Sequence, residues 1–228
     1  MRRFPCSTPL PEPGEVVSLT PEDSHHLLRV NLTPRGTEVI LYSPDGLQAR
    51  AILIDVIQDI AQLEICEAPQ PQTTLTPKIL LIGQPKKPAL DHILRMATEL
   101  GCTEIRVFEA QRSIAKGDHT DRWLRVTEGC LSQCGRTSGP KLTHHKNLQS
   151  ALDELPDQGL WICLPDSNPI PDRRPEGSVV LIGPEGGLSP TEVELALERR
   201  FQTLRLGHQV LRCDTAAAAA LGLLAPQG

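Results

Sequence analysis

Short runs rich in β-branched and other apolar residues, separated by polar turns, dominate the first third of the chain. Three such runs predict β-strands, and they cover residues 37–43, 49–57 and 61–67. The turn Ser43-Pro44-Asp45-Gly46 predicts a hairpin between the first two, and residues 25–30 predict one helix. The pattern favours a small β-barrel or sandwich as a first domain, residues 1–69.

The hydrophobic period changes after a polar, proline-rich segment at residues 70–77, which predicts a linker. Beyond it, short buried runs alternate with segments that carry apolar residues at helical spacing. The predicted strands are 79–82, 105–108, 160–164, 179–182 and 203–206. The predicted helices are 88–100, 119–134, 191–200 and 215–224. The alternation predicts an α/β domain over residues 78–228, with a mostly parallel sheet covered on both faces.

A glycine-rich turn follows the predicted strand 179–182 and reads Gly183-Pro184-Glu185-Gly186-Gly187. Ser189, Pro190 and Glu192 then predict a helix start with a capping box. Glycines let a ligand approach the backbone closely. The spacing matches neither the dinucleotide fingerprint nor a phosphate-binding Walker loop. A tight turn that uses glycines for geometry alone is the alternative.

A second strand end lies at residues 204–215, and five alanines follow it at residues 216–220. Small side chains in that helix would let another backbone pack closely, although an alanine-rich helix is also common because alanine favours helices. Asp214 or Thr215 is predicted to cap this helix. Asp214 therefore has a structural role available as well as a chemical one.

Composition favours a soluble cytosolic protein. No apolar run approaches the length that crosses a bilayer, and no apolar signal core follows the basic start. Seven cysteines without framework spacing indicate reduced thiols. The net charge of −5 argues against nonspecific coating of nucleic acid. However, residues 86–146 hold 11 Lys/Arg against 7 Asp/Glu, while residues 1–76 hold 5 against 10. That basic stretch is either an ordinary solvated surface or a localised RNA-facing patch.

The two C-terminal loops carry a family resemblance. Ile182–Ser189 followed by Leu206–Ala216 resembles the paired signatures of the ribosomal RNA small subunit methyltransferase E family, SPOUT-type enzymes that methylate N3 of one uridine in 16S rRNA. The resemblance extends over nearly the whole chain. Its further matches are Arg2-Arg3-Phe4, His26–Val30 with Gly36, Leu90–Gly101, Arg112-Ser113 and Gln133–Arg136.

The resemblance implies a PUA-like RNA-binding β-barrel followed by a SPOUT-type α/β domain with a deep trefoil knot. It implies a homodimer, S-adenosylmethionine as cofactor, and 16S rRNA in the small ribosomal subunit as partner. From the residues themselves, neither a membrane nor a metal is expected as a partner. The cofactor would lie against Leu164, Ile182, Gly183, Pro184, Glu185, Gly186, Gly187, Leu206, Gly207, Leu211, Cys213 and Ala216. RNA would be bound by Arg3, Arg29, Lys86, Arg95, Arg112, Lys116 and Arg136.

Three residues are catalytic candidates. The uridine N3 lone pair becomes a good nucleophile only when its proton leaves, so a base or cationic stabilisation of the anion is needed. Arg212 cannot be a base at neutral pH, but it can stabilise the developing oxyanion. Asp214 or Glu185 would position Arg212 or accept the proton.

Several positions depart from the family pattern. Asp214 stands where glutamate is usual, Cys213 where threonine is common, and Gln209 where an arginine is expected. Ser132 and Gln111 replace glutamates, and Leu32 replaces a basic residue. The acid survives at Asp214, whereas the losses at Leu32 and Gln209 weaken the expected contact with RNA and leave an altered RNA target open.

Other interpretations have weaker support. Cys130 and Cys134 with His144 and His145 resemble a zinc cluster only loosely, because the spacing of the cysteines is unusual for one. Trp123 and Trp161 are expected in the core or at a dimer interface. Two other functions compete with the leading one: a related knotted enzyme that acts on another RNA, and a non-catalytic RNA-binding or ribosome-assembly factor.

Overall fold

The structure is a computed structural model that describes residues 2–71, 77–136, 138–157, 159–167 and 178–223. The chain divides into two compact units. One comprises Met1–Thr74 with Gly135–Thr137, and the other comprises Leu75–Cys134 with Ser138–Gly228. Most of the predicted linker 70–77 lies outside the described residues. No helix in the described part of the chain is both long and apolar enough to span a bilayer.

The first unit contains a mixed β-sheet. Its strands are β1 (Arg3–Pro5), β2 (Val16–Ser18), β3 (Glu38–Tyr42), β4 (Leu47–Ile57), β5 (Ile60–Ile65) and β6 (Gln70–Pro71). They pair in the order β1-β3-β4-β5-β2, with β6 on β4, and only β1 and β3 are parallel among these strands. Within residues 2–71 no pairing of β1 with β2 closes this sheet into a barrel.

The three strands predicted in this unit are confirmed. Their inward positions alternate, so that Val39, Ala51 and Leu63 are buried in one core. The predicted hairpin turn is also present, since the Gly46 N–H donates to the Ser43 carbonyl at 3.1 Å. β1 and β2 were not predicted, because three-residue edge strands carry too little alternation to be recognised.

The helix predicted at residues 25–30 begins earlier in the structure. Helix α1 covers Pro21–His25 and continues as a π-helical turn over His26–Val30. The Thr20 hydroxyl accepts a hydrogen bond from the Asp23 N–H at 3.1 Å, which fixes the start of the helix. Pro21 at the first helical position suits that start.

The second unit contains a six-stranded parallel sheet in the order β12-β10-β11-β7-β8-β9. The strands are β7 (Lys78–Gly83), β8 (Glu104–Phe108), β9 (Lys141–His145), β10 (Leu160–Cys163), β11 (Ser178–Ile182) and β12 (Gln202–Leu204). The helices are α2 (Lys87–Glu99), α3 (Thr120–Cys134), α4 (Leu148–Ala151), α5 (Pro190–Glu198) and α6 (Cys213–Leu223). The predicted α/β class and parallel sheet are confirmed.

The sheet is buried on both faces, which explains its continuous apolar strands. Along β7, Leu80 and Ile82 belong to one core cluster, whereas Ile79 and Leu81 belong to the other. Trp123 and Trp161 are both buried in the first cluster, so they are core residues. The sequence missed β9 and α4, because β9 ends in two polar histidines and α4 has only four residues.

Helix α6 begins at Cys213, two residues before the prediction. The Ala216 N–H donates to the Arg212 carbonyl at 2.8 Å, so the first helical hydrogen bond starts from Arg212. The prediction that Asp214 or Thr215 caps this helix is therefore wrong. Asp214 instead lies inside the first turn, where its carboxylate accepts the Thr215 N–H at 2.9 Å. The predicted last residue of this helix, Leu224, lies outside the described part.

Candidate functional site

Three neighbouring strands of the second unit end at one cavity. β12, β10 and β11 are adjacent and parallel, so their carboxyl ends lie side by side at one edge of the sheet. The residues that follow them, Arg205, Leu164 and Gly183, all line a cavity of about 590 Å³. A volume of this order is typical of small-molecule sites. In open α/β sheets ligands bind beyond the carboxyl ends of the strands, and this cavity lies there.

The glycine-rich turn forms one wall of the cavity and is tightly packed on itself. A Cβ atom at Gly183 would lie 2.8 Å from the Leu188 nitrogen and 2.9 Å from the Gly187 carbonyl carbon. Gly187 has a φ of +68°, and its N–H donates to the Pro184 carbonyl at 2.8 Å. Side chains at these two positions would therefore distort the turn.

The predicted capping box holds the end of this turn. The Ser189 side chain accepts from the Glu192 N–H at 3.2 Å, and the Glu192 carboxylate accepts from the Ser189 N–H at 2.8 Å. The other Glu192 oxygen accepts the Gln111 N–H at 2.9 Å. Glu192 is almost wholly buried, with 5% of its surface exposed. One buried carboxylate thus joins the start of α5 to the loop after β8.

Arg112 fastens the glycine-rich turn from the other side. Its guanidinium donates to the Gly186 carbonyl at 3.3 Å and to the Leu188 carbonyl at 3.2 Å. The sequence assigned Arg112 to RNA binding, whereas in the structure its side chain holds the turn that walls the cavity.

The structure brings the predicted cofactor-binding residues together. All twelve line the cavity, although they come from three separate segments of sequence. They are Leu164, Ile182, Gly183, Pro184, Glu185, Gly186, Gly187, Leu206, Gly207, Leu211, Cys213 and Ala216. The sequence missed other lining residues, among them Arg205, because it follows only a three-residue strand and belongs to no motif.

Two of the three catalytic candidates also line the cavity, and the third lies beside it. Arg212 is on the wall and its side chain is 81% exposed, whereas the Asp214 side chain is 14% exposed. The Arg212 Nε lies 3.6 Å from the Asp214 Oδ1. Glu185 is engaged elsewhere, since its Oε1 accepts the Lys86 N–H at 3.0 Å at the start of α2. Asp214 is therefore the carboxylate that pairs with Arg212.

Two thiols at the cavity are held in the protonated form. Burial raises the pKa of the Cys163 thiol to about 12. Burial, with the nearby carboxylates of Glu185 and Asp214, also raises the pKa of the Cys213 thiol. Both side chains line the cavity as neutral, weakly polar groups at physiological pH.

The residues predicted to bind RNA are distributed over both units. Arg3, Arg29 and Arg136 belong to the first unit, and the other four belong to the second. Arg3 donates to the Gln48 side chain, and Arg29 lies 3.4 Å from Asp59 in an exposed ion pair. In the second unit the exposed residues of this set are Lys86, Arg95, Arg112 and Lys116.

The cysteines and histidines weighed as a zinc cluster lie on two different elements. Cys130 and Cys134 are in α3, while His144 and His145 are in β9. Among the described residues no group of three or more His, Cys, Asp or Glu side chains could hold a metal ion. His144 instead lies 3.4 Å from Glu109 and packs against the Trp123 ring.

The parallel sheet and its loop-lined cavity define the class of protein. Residues 72–225 match the model of the RNA methyltransferase domain, and the chain belongs to that family. Within it, the chain is similar to the ribosomal RNA small subunit methyltransferase E of Bacillus subtilis (strain 168). The two are 29% identical over 95% of this chain and 92% of the relative. The resemblance recognised from the two C-terminal loops is thereby confirmed.

Solved structures agree with this family. A ribosomal RNA small subunit methyltransferase E from Neisseria gonorrhoeae, bound to S-adenosyl methionine, superposes with a TM-score of 0.77 and 26% identity, covering 98% of this chain and 96% of that one. A Legionella pneumophila protein in complex with the cofactor SAM gives a TM-score of 0.72 and 27% identity, covering 97% and 96%.

Proposed function

We propose that this protein transfers a methyl group from S-adenosylmethionine to N3 of a specific uridine in the 16S RNA of the small ribosomal subunit. The observation that carries the proposal is the cavity itself, where the two signature loops and the end of β10 meet. A relative named as a ribosomal RNA small subunit methyltransferase, similar over nearly the whole chain, supports the choice of ribosomal RNA as substrate.

The residues of the cavity suit S-adenosylmethionine as the cofactor. Gly183, Gly186 and Gly187 line the cavity without side chains, so a ligand can approach their main-chain groups, which can bind the polar edge of an adenine. Leu164, Leu206 and Leu211 supply apolar walls for the ring system. When bound, the cofactor supplies a methyl group already activated by its sulfonium charge.

In the proposed reaction Arg212 stabilises the uridine anion. Its side chain is exposed at the cavity wall, so an incoming base can reach it. Asp214 lies 3.6 Å from the guanidinium and fixes its direction, or accepts the N3 proton. Glu185 supports the site differently, by fixing the glycine-rich turn to the start of α2.

The two units and the assembly of the protein also have proposed roles. We propose that the first unit is a PUA-like RNA-binding module, residues 1–69, joined by residues 70–77 to the methyltransferase domain, residues 78–228. We also propose a trefoil knot in that domain and a homodimer acting in the cytoplasm. Light scattering of the purified protein measures the dimer directly, and a monomer at micromolar concentration would contradict it.

The central test uses purified protein and 16S rRNA that lacks the modification. We expect saturable S-adenosylmethionine binding by calorimetry, one methyl group per RNA by mass mapping, and a block to reverse transcription at the modified base. The block is expected because N3 lies on the base-pairing edge of uridine. Methylation on a ribose, or on another RNA, would contradict the N3 assignment. Failure to bind S-adenosylmethionine would contradict the enzyme itself and favour a non-catalytic RNA-binding factor.

A further inference from the structure

Three arginines line the cavity, and two of them are engaged by the protein. Arg112 donates to the Gly186 and Leu188 carbonyls, and Arg212 lies 3.6 Å from the Asp214 carboxylate. Arg205 differs from both, because its guanidinium makes no hydrogen bond or ion pair with any residue that the structure describes. Among the described residues, the Arg205 guanidinium therefore has neither a hydrogen-bond acceptor nor a carboxylate beside it, and its positive charge is permanent.

Arg205 occupies a fixed position in the cavity. It follows directly after β12, and the neighbouring carbonyl of Leu204 accepts the Leu164 N–H at 3.1 Å, which ties β12 to the end of β10. The residue is half-buried. Removing water from part of an unpaired charge costs free energy, and an anionic ligand group offsets that cost.

We infer that Arg205 binds the α-carboxylate of S-adenosylmethionine; this inference rests on the proposed function. The carboxylate is the only anionic group of that cofactor, and guanidinium and carboxylate match in a two-bond fork. The glycine-rich turn follows β11, and β10 lies between it and β12. With strands about 4.8 Å apart, a cofactor whose adenosine lies against the turn can extend its amino-acid end toward Arg205.

The test compares two ligands with two proteins by calorimetry. Decarboxylated S-adenosylmethionine retains the adenosine and sulfonium groups and lacks only the carboxylate. We expect the unaltered protein to bind S-adenosylmethionine about 10- to 100-fold more tightly than the decarboxylated ligand, as for a charge-assisted pair. Arg205→Gln should abolish that difference, and Arg205→Lys should retain part of it because the charge remains without the fork.

Arg200→Gln is the matched control, since Arg200 is an exposed arginine just before the amino end of the same strand and outside the cavity wall. It should keep the full discrimination between the two ligands. The thermal unfolding midpoint of Arg205→Gln should equal that of the unaltered protein, because no described protein contact is lost.

Three outcomes overturn the inference. If the unaltered protein binds both ligands equally, no group recognises the carboxylate. If Arg205→Gln keeps the discrimination, another group does so. If this variant binds both ligands normally but has a raised KM for RNA, Arg205 contacts an RNA phosphate instead. In all three cases S-adenosylmethionine still binds and the proposed function stands, whereas no binding to the unaltered protein would overturn both proposals.

Discussion

At residue 183 the chain leaves no space for a side chain. The two atoms that a Cβ would approach within 3 Å both belong to the backbone of the same turn, so neither can move without changing the cavity wall. Gly183→Ala should therefore lower the free energy of unfolding by about 1–3 kcal/mol and weaken S-adenosylmethionine binding. Denaturant titration and calorimetry measure the two effects.

Gly129→Ala is the control for that substitution. Gly129 lies within α3, and a Cβ atom there would meet open space. The change should raise the free energy of unfolding by about 0.5–1 kcal/mol, because alanine is the better helix former. Equal behaviour of the two variants would show that the packing at Gly183 is not needed for the site.

Arg212 is the residue at which stability and activity should separate. It is 81% exposed and its ion pair with Asp214 has one exposed partner, so the pair contributes little to folding. Arg212→Ala should lower the rate of methyl transfer by about a hundredfold or more. The affinity for the cofactor and the thermal unfolding midpoint should stay unchanged. Single-turnover methylation measures the rate of transfer, and calorimetry measures the binding of the cofactor. An unchanged rate would reject the role in charge stabilisation.

At the scale of elements, the start of α5 is a junction rather than a local cap. The Glu192 carboxylate accepts the N–H groups of both Ser189 and Gln111, and it is buried. Glu192→Ala leaves two backbone donors without partners, so we expect a loss of about 2–4 kcal/mol in the free energy of unfolding. The cofactor affinity should fall as well, because the glycine-rich turn immediately precedes Ser189.

Glu194→Ala on the same helix is the comparison, since Glu194 is exposed. It should change the free energy of unfolding by less than about 0.5 kcal/mol. If Glu192→Ala costs no more than Glu194→Ala, the carboxylate does not hold the turn.

At the scale of the molecule, the response to acid follows from groups whose pKa values are lowered on folding. Burial, with the nearby Arg106 guanidinium, lowers the pKa of His145 below its usual 6.5. Hydrogen bonds lower the pKa of Glu109, through the Gly117 N–H, and of Asp118, through Thr120.

The sign of the pH dependence is the same for all three groups. Each binds its proton more weakly in the folded state, so the free energy of unfolding decreases as the pH falls through the titration range of each group. As the pH falls, the thermal unfolding midpoint should first decrease near pH 6.5, because of His145. It should decrease a second time below the usual glutamate pKa of 4.5. In His145→Gln the first decrease should be smaller; a first decrease of the same size would assign it to another group.

Much of this molecule follows from local pattern. The alternation of strands and helices predicted the parallel sheet, and the strands 37–43, 49–57 and 61–67 were predicted close to their structural bounds. Ser189 and Glu192 predicted a capping box that the structure contains. These features depend on residues close together in sequence, so periodicity and residue type are sufficient to predict them.

Tertiary structure decided what periodicity does not contain. The order β12-β10-β11 makes three distant strand ends neighbours, and no local pattern specifies which strands pair. The same packing directs the Arg112 side chain to the glycine-rich turn and pairs the Glu185 carboxylate with the Lys86 N–H at the start of α2. It also leaves Arg205 on the cavity wall without a described partner. The sequence by itself determined the elements, their class and the two signature loops. Only long-range contacts determined which groups lie beside each charged side chain. The reason is that the partners of a charged group come from residues that are distant in sequence and are brought together by the fold.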